Sequence, residues 1–433
     1  MGGGVLQLIY LGKQDIHLTG NPQMSFFKQV YRRYTNFSIE CIEQSFNTPI
    51  GVDATNTTAE IKNSGDLLKS LHLDVLFTGG ASGLTGSAYT NWTNNTAHAF
   101  IKRADLEIGS NIIDTHYGHW LDVLNELTDH NENEYTILNK HARGDNTAYL
   151  NSNVGDSLPD LQMYIPFKFW FSRNPGVALP MLALKYSNVK LKLKTRSLKA
   201  LINSDATGGA INYSTAPTCR LYGDFIFLDN AERKRFVSTY HEYLIEQVQY
   251  KKLTASTNVS INFEHPVKEL IWTIQNTGVI EEKITQGNID ATQNKLIGAN
   301  LTLDDKNDYF CYESLSATGI SESLYGSQGF EGFTSMRIKL DGVEIFTPRK
   351  ASYFGNLHPI QAGHKNPNYF IYCYSFSLHP EDYQPSGTCN FSKITSARMV
   401  FDAIQPNSNL NVYAINYNVL KISGGMAALG YTS

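Results

Sequence analysis

The second half of this sequence can be laid on the first. Pro266–Ile274 aligns with Leu67–Val75, Met336–Ile345 with Ala104–Ile113, and Tyr369–Leu378 with Tyr164–Phe171. The three matches keep the same order, at offsets of roughly 200 to 235 residues, which is the mark of a duplicated unit. Within the blocks, apolar and polar residues alternate. Leu71, Leu73, Val75 and Phe77 alternate with Ser70, His72 and Asp74; Ala104, Leu106 and Ile108 alternate with Arg103, Asp105 and Glu107. A period of two places the apolar set on one side of a strand. Many short strands of this kind, duplicated over 433 residues, predict two all-β sandwich or jelly-roll domains.

Three kinds of segment break the alternation. Tyr117–Thr128 shifts to a 3.6 period with Trp120, Leu124 and Leu127 on one face, so a short helix is expected there. Long polar stretches at 79–98, 129–160 and 277–332 read as loops or insertions. A charged run after Asp229, with Glu232, Arg233, Lys234 and Arg235, separates the halves. The expected division is an arm over 1–36, a first domain over 37–229, a linker over 230–241 and a second domain over 242–433.

A net charge of −4 argues against a general nucleic-acid binder. Twenty-five Tyr and 22 Phe beside only 18% charged residues suit sheets and extensive subunit contact. No apolar run reaches the ~18 residues needed to cross a bilayer. Met1–Leu8 has neither the basic region of a secretory signal nor Ser or Thr at position 6 for myristoylation. The five cysteines are scattered and never in C-x-x-C, which reads as reduced thiols.

The segment 12–37 carries unusual chemistry. In Thr19-Gly20-Asn21-Pro22, Gly20 is expected to take positive φ and Pro22 to hold Asn21 extended. Phe26, Phe27, Val30 and Tyr31 recur at helical spacing, which predicts one or two turns closed by Arg32 and Arg33. So much aromatic surface must be covered, either by the chain's own first domain or by a neighbouring subunit.

The pattern Gln14-Asp15, Leu18–Pro22, Phe26-Phe27 and Tyr31-Arg32-Arg33-Tyr34-Thr35-Asn36-Phe37 resembles the major capsid proteins of nucleocytoplasmic large DNA viruses, of the algal-virus and iridovirus types. Similar blocks stand at Asn174–Pro180, His241–Gln247, Arg349–Phe354, Gln384–Ser392, Asn411–Leu420 and Gly424–Tyr431. The resemblance implies a double jelly roll: two eight-stranded antiparallel β-sandwiches in tandem, with long surface loops and a few short helices. It further implies a homotrimer of near-hexagonal outline in the outer shell of a virion assembled in the host cytoplasm. The implied partners are neighbouring capsomers, minor capsid and penton proteins, and the internal membrane indirectly, with no sequence-specific nucleic-acid contact. Asp15, Thr19, Asn21, Pro22, Phe26, Phe27, Tyr31, Arg32, Arg33 and Tyr34 would form the assembly arm.

No catalytic residue, metal ligand or cofactor is expected. Asp114, His116, His119 and Asp122 are spaced like ligands, but they cross a strand-to-helix boundary and need not converge. Phosphate loops, nucleophile elbows and the zincin motif do not occur. Lys190, Lys192, Lys194 and Arg196 read as a solvated strand face or a lysine-guarded edge rather than an anion site. Among eight Asn-x-Ser/Thr sequons, Asn91, Asn94 and Asn300 fall in expected exposed loops and are the candidate glycan acceptors. Because jelly rolls also host lectins, a carbohydrate-binding sandwich is the alternative, and a metal enzyme at His116 and His119 a distant third.

Overall fold

The computed structural model describes residues 5, 9–10, 12–79, 90–129, 132–140, 158–204, 213–276, 309–310, 312, 331–367 and 370–431. It divides into two units, Met1–Phe37 and Ser38–Ser433.

In the first unit, Ile16–Thr19 form a single helical turn. Gly20 N–H donates to the Ile16 carbonyl at 2.8 Å, and a Cβ at Gly20 would lie 2.5 Å from that oxygen. Glycine is therefore required here for close approach and not for its φ, which is −76°. Positive φ falls instead on Asn21, at 52°, so Pro22 does not hold Asn21 extended. Asparagine tolerates this left-handed region. The helical turns expected over Phe26–Arg33 do not form: after a single turn at Phe26-Phe27 the backbone runs without regular structure up to the strand at Phe37. A few helical residues without a packing partner do not offset the cost of nucleation.

Among the described residues, four of the second unit's five sheets build its barrels. The first eight long strands are β1 (Phe37–Gln44), β2 (Asn56–Ile61), β3 (Leu67–Phe77), β4 (Ile101–Ile108), β5 (Asn111–His116), β6 (Leu161–Phe167), β7 (Val189–Thr195) and β8 (Thr218–Leu228). Their antiparallel sheets run β1-β8-β3-β6 and β2-β7-β4-β5. Eight more follow: β9 (His241–Thr254), β10 (Asn258–Ser260), β11 (Pro266–Asn276), β12 (Ser335–Leu340), β13 (Val343–Glu344), β14 (Ile371–Ser375), β15 (Ala397–Phe401) and β16 (Ser408–Ser423). They pair as β9-β16-β11-β14 and β10-β15-β12-β13. Adding eight to each label of the first pair of sheets gives the second pair, so the fold is a double jelly roll. The three sequence echoes fall on equivalent strands: β3 with β11, β4-β5 with β12-β13, and β6 with β14.

Alternation explains the cores. Leu71, Leu73, Val75 and Phe77 point inward with Met163, Ile165 and Phe167, and all are buried. Phe77 packs against Trp92 and Phe100 at centroid distances of 5.0 and 5.3 Å. The period-two run at Phe169 and Phe171 outlasts its strand, because Trp170–Arg173 turns helical where Pro175 and Gly176 end the sheet. Helix α1 (Gly118–Thr128) forms where its period indicated, and α2 (Asn230–Ser238) follows β8. Strand β7 lies between β2 and β4, so its lysines guard no edge. Lys190 and Lys192 instead pair with Glu107 of β4 on a solvated face, and Arg196 lies 4.5 Å from the Tyr309 ring centroid.

Candidate assembly site

Phe26 is 89% exposed, Phe27 100%, Tyr31 82% and Tyr34 83%; Thr19, Asn21, Pro22, Arg32 and Arg33 are exposed and Asp15 half-buried. The Asp15 carboxylate accepts from Gly12 N–H at 2.7 Å, and its carbonyl accepts from the Thr19 hydroxyl at 2.8 Å. These bonds hold the turn that precedes Asn21 and leave the aromatic rings outside it.

The run Asp114–Asp122, spaced like a metal site, is instead the seam between the two jelly rolls. His116 is buried and pairs with Asp114 at 2.9 Å, while Asp114 also accepts from Val248 N–H of β9 at 3.1 Å. His119 faces away from them. Its ring lies 4.7 Å from Tyr250 and 5.7 Å from Tyr413, and burial drives its pKa down to about 3, so it stays neutral. Trp120 packs on Tyr413 at 5.0 Å. Asp122 accepts from Lys140 at 2.8 Å and from Tyr312 of the second half at 3.1 Å. Glu126 takes the same ammonium at 2.5 Å. Burial alone would lower the Lys140 pKa, but the two carboxylates outweigh it and raise it, so the ammonium stays charged in the interior. Lys140 belongs to a stretch expected to be exposed loop, yet it is fully enclosed.

Contacts on either side extend the seam. Gln247 donates to the Ile113 carbonyl, Tyr186 N–H donates to Gly425 O at 2.8 Å, and Ala427 N–H donates to Ser187 Oγ at 3.2 Å. Lys365 N–H donates to the Leu127 carbonyl at 2.8 Å. Strand β16 is consequently buried along nearly its whole length, and its asparagines find partners: Asn411 accepts from the Tyr250 hydroxyl at 2.9 Å.

Among the candidate glycan acceptors, Asn94 does not lie in an exposed loop. It is half-buried, and Thr96 of its sequon is fully buried, donating to the Thr93 carbonyl at 2.6 Å and accepting from Asn139 at 2.9 Å. Helix formation at Thr96–Phe100 draws this stretch inward. Asn91 belongs to the short strand Thr90–Trp92, and Asn300 lies outside the described residues.

The outer face of the first sheet holds a grouping that no spacing announced. Cys41 of β1, His72 of β3 and Asp224 of β8 bring one ligand atom each within 4.8 Å of one another. Their separation along the chain hides them; only the strand order unites them.

The repeated sheet order and the seam describe one chain carrying two fused barrels, and comparison with known proteins says which. Residues 25–229 match the family described as major capsid protein N-terminus, and residues 232–428 that described as large eukaryotic DNA virus major capsid protein. The chain belongs to this family. The chain is similar to the major capsid protein of Pyramimonas orientalis virus, 34% identical over 460 residues and 100% of both chains. It is equally similar to that of Paramecium bursaria Chlorella virus 1, 34% identical over 469 residues and 100% of both chains. A solved chain of the PBCV-1 virus capsid matches with a TM-score of 0.75 and 31% identity, over 94% of this chain and 100% of that one. In a capsid protein the surfaces that act are those presented to other subunits, and the seam fixes how they are presented.

Proposed function

We propose that three copies of this chain close into a capsomer with six barrels, and that capsomers tile the outer shell of the virion. The observation that supports this reading is the duplicated sheet order within one fused unit. A threefold ring of two-barrel subunits has a nearly sixfold outline, and near-hexagonal tiles cover a surface with repeated contacts. In this reading 230–241 link the two barrels, and the arm over 1–36 reaches a neighbouring subunit or capsomer through Phe26, Phe27, Tyr31 and Tyr34. Large exposed aromatics on a short arm gain from such burial. Minor capsid and penton proteins are the further partners in this reading, with the internal membrane reached indirectly and assembly in the host cytoplasm. Asn91 and Asn300 remain the candidate glycan acceptors.

Solution mass tests the proposal. Three chains of 48.4 kDa give about 145 kDa, which native mass spectrometry or light scattering resolves from a monomer. A trimer that survives dilution is expected. Phe26→Ala with Phe27→Ala should weaken either the trimer or the association of trimers into sheets. A monomer at all concentrations overturns the trimer, and unchanged assembly at both levels overturns the role of the arm.

A further inference from the structure

We propose that Cys41, His72 and Asp224 form a zinc site on the outer face of the first jelly roll. Strand β8 lies between β1 and β3, so Asp224 sits between its two companions, with Cys41 approaching from one neighbouring strand and His72 from the other. Across β3 and β8, Tyr222 stands opposite His72 and Asp224 opposite Ser70. The inward residues Leu71, Leu73 and Val75 are buried, so alternation turns His72 outward. Cys41 is exposed, and His72 and Asp224 are half-buried, which leaves ions a path to the group.

Local geometry aims each donor. The register between β8 and β3 slips by one residue right after Asp224, leaving Lys69 without a partner in the ladder. Such bulges re-aim side chains and are enriched beside functional sites. The Ser70 hydroxyl donates to the Asp224 carboxylate, and the His72 ring stacks on Tyr222 at 5.5 Å and 20°. Both contacts restrict the donors as outer-shell partners of a metal site do. Zinc bonds of about 2.3 Å to sulfur and about 2.0 Å to nitrogen and oxygen put tetrahedral donors about 3.3–3.6 Å apart. The three atoms are already within 4.8 Å, so small side-chain rotations close the site.

The donor set selects the ion. A thiolate and an imidazole favour zinc among abundant divalent cations, whereas calcium and magnesium take oxygen ligands. Without metal the thiol is protonated, because partial burial and then the adjacent Asp224 carboxylate push its pKa up to about 11. Binding replaces that proton: the S–H bond breaks, the sulfur–zinc bond forms and the proton leaves to solvent. Water fills the fourth position.

Metal content tests the site. The chelator-treated, full-length protein is equilibrated with Zn2+, desalted and assayed by inductively coupled plasma mass spectrometry. About one zinc per chain is expected, and stoichiometric retention is lost in Cys41→Ser and in His72→Gln. With Co2+, the wild type should show a thiolate-to-cobalt charge-transfer band that disappears in Cys41→Ser and persists in Cys389→Ser. Ser70→Ala should bind about tenfold more weakly, through loss of an outer-shell contact. Absence of retained metal in the wild type, or binding unchanged by Cys41→Ser, overturns the proposal. Should a variant fail to fold, the wild-type metal content and cobalt spectrum still decide it.

Discussion

Replacing His364 by Gln should remove one stabilising contribution that is otherwise lost between about pH 6.5 and pH 9. The ring is buried, with Nε2 at 2.8 Å from Glu269 and Nδ1 at 2.6 Å from Glu381. A neutral imidazole would turn a lone pair toward one carboxylate, so the cation is favoured. Burial alone would lower the pKa, but Glu269 first and Glu381 second outweigh it and push it up to about 9, from 6.5. A group raised on folding contributes in full below its unfolded pKa and loses that contribution as pH rises through the folded value. The contribution is therefore about 3 kcal/mol below pH 6.5, falling away by about pH 9.

At the acid end the sign reverses. Burial would raise the Glu269 pKa, but His364, helped by Lys268 and Arg173, outweighs it and lowers it, so that carboxylate stabilises above its unfolded pKa and ceases to as pH falls through its folded value. The neighbouring His358 is lowered by its own burial and then by His364, which removes it from the upper window. An unfolding entropy of about 2.1 cal/mol/K per residue converts the 3 kcal/mol into roughly 3 °C for a chain of this length. Differential scanning fluorimetry of wild type and His364→Gln at half-unit pH steps reads it. The gap in Tm should be widest near pH 6 and close toward pH 9; a gap constant across the range refutes the assignment of charge to His364.

Two further substitutions test the interior of the first barrel. Lys140→Met strands Asp122 and Glu126 as buried carboxylates without their cation, which should cost about 3–5 kcal/mol in denaturant unfolding. Gly118→Ala would place a Cβ 2.1 Å from the His98 carbonyl oxygen and 2.2 Å from that of Ile101. Both are backbone atoms, so α1 must shift off the sheet, and expression as soluble protein is expected to fall sharply relative to a Gly176→Ala control, where a side-chain atom at 3.2 Å is the nearest neighbour.

Local periodicity made the strands readable, because alternation and barrel packing demand the same thing of Leu71–Phe77 or Ala104–Ile108. Duplication was readable for a related reason: equivalent strands face equivalent cores, so their apolar spacing recurs. Periodicity says nothing about what lies across a strand. Lysines at 190, 192 and 194 look the same on an edge as beside Glu107, and Cys41 gives no hint that His72 and Asp224 are its neighbours. The ligand-like spacing at Asp114–Asp122 arises from a different demand, since Asp114, His119 and Asp122 each meet a residue of the second barrel while His116 pairs with Asp114. The arm misled in another way. Phe26, Phe27, Val30 and Tyr31 have helical spacing, yet spacing without a surface to pack on does not make a helix.

The seam also decides where a shell of these subunits can flex. The Tyr312 bond to Asp122, the Trp120–Tyr413 contact and the bond from β9 to Asp114 join both barrels within the one compact unit Ser38–Ser433. A shell built from such fused pairs is expected to curve where one tile meets the next. A lattice that passes from flat facet to sharp edge asks its joints to vary while its tiles stay constant.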